Sequence, residues 1–302
     1  MPLLVIGSVA FDAVETPHGK IDRMLGGAAT YFAVAASYFA PVKLVGVVGD
    51  DFTARDAAVF RGRPIDTEGL ERAAGKTFFW SGRYSADMND RTTLATDLNV
   101  FGEFNPKLPD SYRTAPFLFL ANIHPSLQLN VLRQMARKPK LVALDTMNYW
   151  IERAPAELKV VLREIDILVI NDAEARQLSG EHNLLRAAAR IQQMGPKILV
   201  VKRGEHGAML MQRDSIFSVP GMTLSKVHDP TGAGDSFAGG FMGWLTKAGK
   251  INDRTLRTAM VYGSVMGSFA VERFGLERLR RLKRPEITAR AHQFRRLTQF
   301  TL

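Results

Sequence analysis

The chain has no cysteine. That excludes disulfides, a thiolate nucleophile and cysteine-ligated zinc, and it is compatible with a reducing cytoplasm, where the protein is expected. The six histidines, at positions 18, 124, 182, 206, 228 and 292, are scattered and form no HxxxH or HExxH pair. A histidine-built metal site is therefore not expected. No apolar run approaches the roughly 18 residues that a membrane span needs. The longest candidates are 28–40, interrupted by Thr30 and Ser37, and the short 117–121. Residues 1–10 lack a basic stretch and a small-residue cleavage site, so no signal peptide and no membrane partner are expected. There is no Walker A motif: from Gly243 to Lys250 the spacing is wrong, and no Ser or Thr follows. No GxGxxG follows a strand, so a Rossmann dinucleotide site is unsupported. Internal repeats and low-complexity segments are also missing.

What is present, 302 residues with 46% hydrophobic and 23% charged, suits one large α/β domain or two modest ones. The formal charge is +10, and residues 273–302 hold nine Lys or Arg against two acids. Such a tail reads first as a solvated helix face, so nucleic acid is not an expected partner. A positive field also suits an enzyme that must attract a polyphosphate.

Along the chain, 3–10, 43–49, 117–121, 141–144, 167–170 and 198–201 read as buried strands. Helical stretches at 28–40, 52–61, 127–136, 156–164 and 184–194 alternate with them. Repeated βα units of this kind predict a mostly parallel sheet with helices on both faces. The segments 76–84 and 91–101, joined by Asn89-Asp90, read as antiparallel strands that interrupt the alternation. Residues 207–212 and 215–219 read as an edge hairpin, and 233–248, 253–271 and 285–297 as helices.

The strongest signal is Asp229-Pro230-Thr231-Gly232-Ala233-Gly234-Asp235-Ser236-Phe237-Ala238-Gly239-Gly240-Phe241. Small residues at 232–234 can present successive backbone N–H groups at a helix start, which is a ready anion site. A carboxylate beside a phosphate repels it unless it has a task, and taking a proton from an attacking hydroxyl is such a task. Gly239 and Gly240 let the helix pack closely on its neighbour.

This stretch resembles the C-terminal signature of the ribokinase-like (PfkB) family of carbohydrate and nucleoside kinases. Other segments agree: Gly7–Asp12, Gly26-Gly27, Gly46–Asp51, Asn171-Asp172-Ala173-Glu174, Lys202–Gly207 and Ala270–Gly275. The resemblance implies a three-layer ribokinase-like fold over residues 1–302, with a β lid formed by about 13–22 and 76–109. It implies an ATP-dependent kinase with a sugar hydroxyl as acceptor, or alternatively a nucleoside. Asp235 would be the general base, and the amides of Gly232, Ala233 and Gly234 the anion hole. Asp12, Gly26, Gly27 and Tyr31 would meet the acceptor. Asn171, Glu174, Lys202, Gly204, Gly207 and Ser264 would serve the nucleotide, and Glu174 would hold Mg²⁺ through water. Asp229 and Thr231 match a monovalent-cation site, with K⁺ as an optional cofactor. Lids in this family often pair between subunits, which implies a homodimer. A kinase fold recruited as a nucleic-acid or metabolite-sensing module is the rival of another class, and the intact loop argues against it.

The sequence departs from the family at two places. Tyr31 stands where an Asn usually bonds the sugar, offering one hydroxyl and a ring in place of an amide. Pro230 replaces a common Thr. Residues 145–150 follow a strand and could add acceptor contacts. His124 is read as structural, and Phe78, Phe79 and Trp80 as packing residues.

Overall fold

The computed structural model describes residues 1–299. A nine-stranded sheet runs through the molecule in the order β13-β12-β11-β10-β9-β8-β1-β4-β5. Its strands are β1 (Leu3–Ile6), β4 (Val42–Val48), β5 (Ile65–Arg72), β8 (Phe117–Leu120), β9 (Leu141–Asp145), β10 (Ile167–Asn171), β11 (Ile198–Lys202), β12 (Ala208–Gln212) and β13 (Ser215–Val219). The pairings from β5 to β11 are parallel, and β12 and β13 add the antiparallel edge hairpin. Inner strands such as Leu3–Ile6 and Phe117–Leu120 are buried on both faces, because helices cover both.

Alternate residues divide the core in two. Leu3 and Val5 join the layer of α1 (Ala28–Ala36), α8 (Ala233–Ala248) and α9 (Asp253–Ala270). Leu4 and Ile6 join the layer of α3 (Pro125–Gln134), α5 (Pro155–Leu162), α6 (Asp172–Ser179) and α7 (Leu184–Gln193). In the first layer α8 lies very close to α1. A methyl on Gly239 would sit 2.4 Å from the Phe32 carbonyl, so the pair packs backbone to backbone. Short helices α2 (Ala54–Ala57), α4 (Asn148–Arg153) and α10 (Glu277–Arg281), and the terminal α11 (Arg284–Thr298), complete the chain.

A second, four-stranded sheet stands apart in the order β3-β2-β6-β7, with β2 (Ala10–Thr16), β3 (Gly19–Gly26), β6 (Phe78–Tyr84) and β7 (Arg91–Asp97). Its bounds differ from those expected. The first pair begins at Ala10, so Asp12 lies in the small sheet and not at the end of β1. After Asp97 the chain turns through 3-10 turns at Asn99–Glu103 and Asp110–Tyr112, where Phe101 stacks on Phe78 and Phe104. Strand β5 was not expected: its polar, glycine-containing sequence IDTEGLER carries no apolar run. The helix expected at 52–61 shrinks to the single turn of α2, capped by Thr53 and Asp56.

Candidate active site

The carboxyl ends of β9, β10 and β11, the start of α8 and the face of the small sheet converge on one region. The loop entering α8 is anchored by Asp229, which is fully buried. One carboxylate oxygen accepts the Thr231 amide at 2.8 Å, and the other accepts the Gly275 amide at 2.9 Å. Gly232 caps the helix in the left-handed region (φ 72°), and the Tyr31 ring lies directly under it. A methyl on Gly232 would come within 2.4 Å of that ring. Tyr31 is 1% exposed and its hydroxyl has no partner. Its ring therefore forms the floor of the loop. Burial, and then the charges of Asp12, Asp229 and Asp235, hold its phenol well above the ordinary value.

The expected row of three amides is not fully free. The Ala233 amide donates to the Pro230 carbonyl at 3.1 Å and closes the turn. The Gly234 amide lies in the first turn of α8, where helix geometry supplies no acceptor. Gly234 also faces Lys202: a methyl there would be 3.0 Å from the Lys202 Nζ.

Lys202 ends β11 directly beside Asn171 of β10. Its charge favours the ionised forms of Asp145, Glu174 and Asp235 together. Burial acts first and in the opposite direction on all three, so each carboxyl stands above its ordinary value, Asp145 well above. Asn171 and Glu174 form a capping box on α6: the Asn171 amide donates to Glu174 Oε2 at 2.8 Å, and the Glu174 amide to Asn171 Oδ1 at 2.7 Å. The capping and functional readings of this pair are compatible. Asp145 is 4% exposed and its Oδ1 has no partner. One orphaned oxygen of Asp145, with Glu174 in the field of the same lysine, fits a hydrated divalent ion, which takes only one or two carboxylates. Among the described residues no group of three or more acidic, His or Cys side chains could hold a metal alone. Each Asp229 oxygen accepts one amide and keeps further acceptor capacity beside it.

Asp12, Gly26 and Gly27 come together as expected. Asp12 is 5% exposed, the Gly27 backbone amide favours its ionised form, and a methyl on Gly26 would overlap its carboxylate. Burial first, then the charges of Asp229 and Asp235, push its carboxyl up to about 7. The native state thus binds more protons than the unfolded chain between about pH 4 and 7, and Asp12 erodes stability as pH rises through that window. Asp12→Asn is therefore expected to raise Tm by roughly 2–4 °C per kcal/mol relieved at pH 8, with little change at pH 4, while weakening acceptor binding. Thermal unfolding at the two pH values checks this, and an equal gain at both would refute it.

Two residues were missed. The Tyr84 hydroxyl lies 3.1 Å from Thr231 Oγ1, which ties the small sheet to the loop of Asp235. Arg91 is paired with Tyr84 across β6 and β7, and its guanidinium sits 5.0 Å from the centre of the Trp80 ring. Its charge reaches Asp12, Glu174 and Asp235. Trp80 folds over Gly82, on the face of the sheet that carries Asp12. Gly204 and Gly207 form the turn after β11, where the Arg203 amide donates to the Gly207 carbonyl at 2.8 Å. Ser264 lies on α9 with its hydroxyl buried and unpartnered. His124 caps α3, accepting the Ser126 amide at 3.2 Å, and packs edge-on against Trp150, in keeping with a structural role.

The family profile described as pfkB family carbohydrate kinase matches residues 3–280. The chain belongs to the pfkB family. Members are ATP-dependent phosphotransferases that act on a hydroxyl of a small molecule, and this chain is a kinase of that carbohydrate and nucleoside class. It is 30% identical over 250 residues to a cytidine kinase of Thermococcus kodakarensis, covering 80% of this chain and 87% of the relative. It is 25% identical over 280 residues to an inositol 3-kinase of Arabidopsis thaliana, covering 90% of this chain and 74% of the relative. A solved nucleoside kinase of Burkholderia thailandensis in complex with inosine shares the fold. Its TM-score is 0.77 at 20% identity, with 96% of this chain and 98% of that one covered. Among the described residues no helix of this pfkB-family chain is long and apolar enough to cross a membrane.

Proposed function

We propose that this kinase transfers the γ-phosphoryl group of ATP to a hydroxyl of a sugar, with Asp235 as the base. The observation that carries the reading is the placement of the Asp235 carboxylate in the first turn of α8, beside the free Gly234 amide and within reach of Lys202. Asp12 grips acceptor hydroxyls and Asp235 takes the proton of the attacking one. The Gly232 and Gly234 amides, with Lys202, stabilise charge on the transferring group. Arg91, carried by the small sheet as a lid, closes over the same group from the opposite side and helps to exclude water. Asn171, Glu174 and Asp145 would hold hydrated Mg²⁺, which when bound would supply charge neutralisation on the phosphates. No step is assigned to K⁺.

A nucleoside acceptor is the second reading, favoured by the likeness to a cytidine kinase and by the Trp80 indole on the acceptor face. ADP release from Mg-ATP with a panel of sugars, sugar phosphates and nucleosides, run beside Asp235→Asn, separates the two. Turnover confined to compounds with a base supports the second. Silence throughout, with no nucleotide binding, overturns both.

Lids are proposed to pair between two cytoplasmic copies. Edge strand β7 leaves Leu94 50% exposed, and Leu98 just beyond it is 49% exposed. Light scattering tests this, and a monomer at working concentration refutes it.

The lysine gives a further expectation. Without Lys202 the Asp235 carboxyl loses its strongest charge partner and moves further up. The base is then protonated over a wider acid range, so activity is lost at a higher pH. Lys202→Met should lower kcat/KM about 10-fold, on the scale of one charge-assisted contact, and move the acid limb of its pH profile upward. An unmoved limb would mean that Lys202 serves the nucleotide alone.

A further inference from the structure

A cavity of about 460 Å³ opens between residues 224–228 and 272–281, and it shares no lining residue with the candidate active site. Its charges are unevenly matched. Glu272 is held by Arg278 at 2.7 Å and Arg290 at 2.6 Å, and Glu277 by Arg281 at 3.2 Å. Lys226 and Arg273 enter no ion pair among the described residues. His228 lines the same cavity, and its Nδ1 is buried without a hydrogen-bond partner. The His18 ring, from the turn between β2 and β3, is 5.6 Å from that of His228. Burial first, and then Lys226, Arg273 and His18, hold the His228 imidazole below its ordinary value. Two cations without an ion-pair partner thus line one cavity, and an oxyanion there would receive charge-assisted bonds from both.

We propose that this cavity is a second phosphate-binding site, separate from the kinase centre, that takes the phosphate group of a small metabolite or free phosphate. A bare halide would fill little of 460 Å³. A tetrahedral oxyanion offers several acceptors to donors on both walls. Those walls are the segments that position Asp229. The His228 amide donates to the Val271 carbonyl at 2.8 Å, and the Gly275 amide to Asp229 Oδ2 at 2.9 Å. The Thr16 hydroxyl of β2 donates to the His228 carbonyl at 3.0 Å. An anion bridging Lys226 and Arg273 would fasten those segments together, next to the anchor of the catalytic loop.

The test is calorimetric titration of inorganic phosphate, and separately of a sugar phosphate, into the full chain. Gly234→Val serves as the background, because it crowds the catalytic loop. Its added carbons meet the flexible end of Lys202, so the fold should tolerate it. Phosphate binding should persist in Gly234→Val and weaken at least about 10-fold, the scale of one lost charge-assisted bond, once Lys226→Ala and Arg273→Ala are added. Tighter binding of the sugar phosphate than of phosphate points to a metabolite, and equal binding to the free ion. Lys226 and Arg273 are exposed, so the fold should survive, and Lys226→Gln with Arg273→Gln replaces the alanines if circular dichroism shows otherwise. No phosphate binding in Gly234→Val, or undiminished binding without both cations, overturns the proposal.

Discussion

Replacing Asp235 by Asn is expected to lower kcat by roughly 10²–10⁴-fold, the range for a positioned general base, while Mg-ATP binding and thermal unfolding change little. Asn keeps the shape of the side chain and its place in the first turn of α8, so the loop should not move. It cannot accept a proton from the attacking hydroxyl. Loss of a negative charge beside the phosphates should, if anything, tighten nucleotide binding. The pH profile gives an independent check. Burial holds the Asp235 carboxyl above its ordinary value, against the pull of Lys202 and then Arg91. In the wild type kcat/KM should therefore fall as pH drops through that raised value, because the base becomes protonated. The residual rate of Asp235→Asn should lack this limb. Turnover within about 3-fold of wild type, well short of the effect of a working base, would move the proton acceptor elsewhere. Asp12, also buried and pushed up to about 7, is the next candidate.

The loop of Asp235 could be read from the sequence because its signal is local. Three small residues, an acid and a helical run determine a helix start wherever they occur, and α8 has the bounds expected of it. The alternation of apolar runs likewise revealed the parallel strands, whose burial on both faces leaves little else for them to be. What escaped depends on how distant segments meet. Arg91 opens a polar strand after a turn, and nothing in RTTLATD marks it as facing three carboxylates. Only the pairing of β7 with β6, and of β6 with β2, puts it there. The family position of Tyr31 suggested an acceptor contact, yet α1 runs beneath the loop and turns that ring into a support for Gly232. Composition showed small residues at 232–234, but whether each amide is free is a matter of turn geometry, and Ala233 closes the turn on Pro230. Strand β5 was lost for a simpler reason: an edge strand buries little, so its sequence has no need to be apolar.

Removing the Arg91 side chain is expected to cost about 10²-fold in kcat, the scale of one donor aimed at a developing charge, with a small change in the KM for ATP. The argument begins from an imbalance. Arg91 enters no ion pair among the described residues, although its charge reaches Asp12, Glu174 and Asp235. A cation whose charge reaches three carboxylates, yet paired with none of them, is available for a group that arrives near them. On the proposed reading the transferring phosphoryl group is such a group, passing from the Gly234 side toward a hydroxyl held by Asp12. Trp80 beneath the guanidinium and Tyr84 beside it limit where it can point. Tyr84 is in turn tied to Thr231, so the arginine is referenced to the loop that carries the base. Arg91→Lys should recover only part of the rate, because an ammonium is a point charge without the planar fork. Added guanidinium should restore some turnover to Arg91→Ala and none to Asp235→Asn. A rise confined to the acceptor KM would instead make Arg91 an acceptor contact. Unchanged kinetics would leave it as packing on Trp80, with the Asp235 reading untouched.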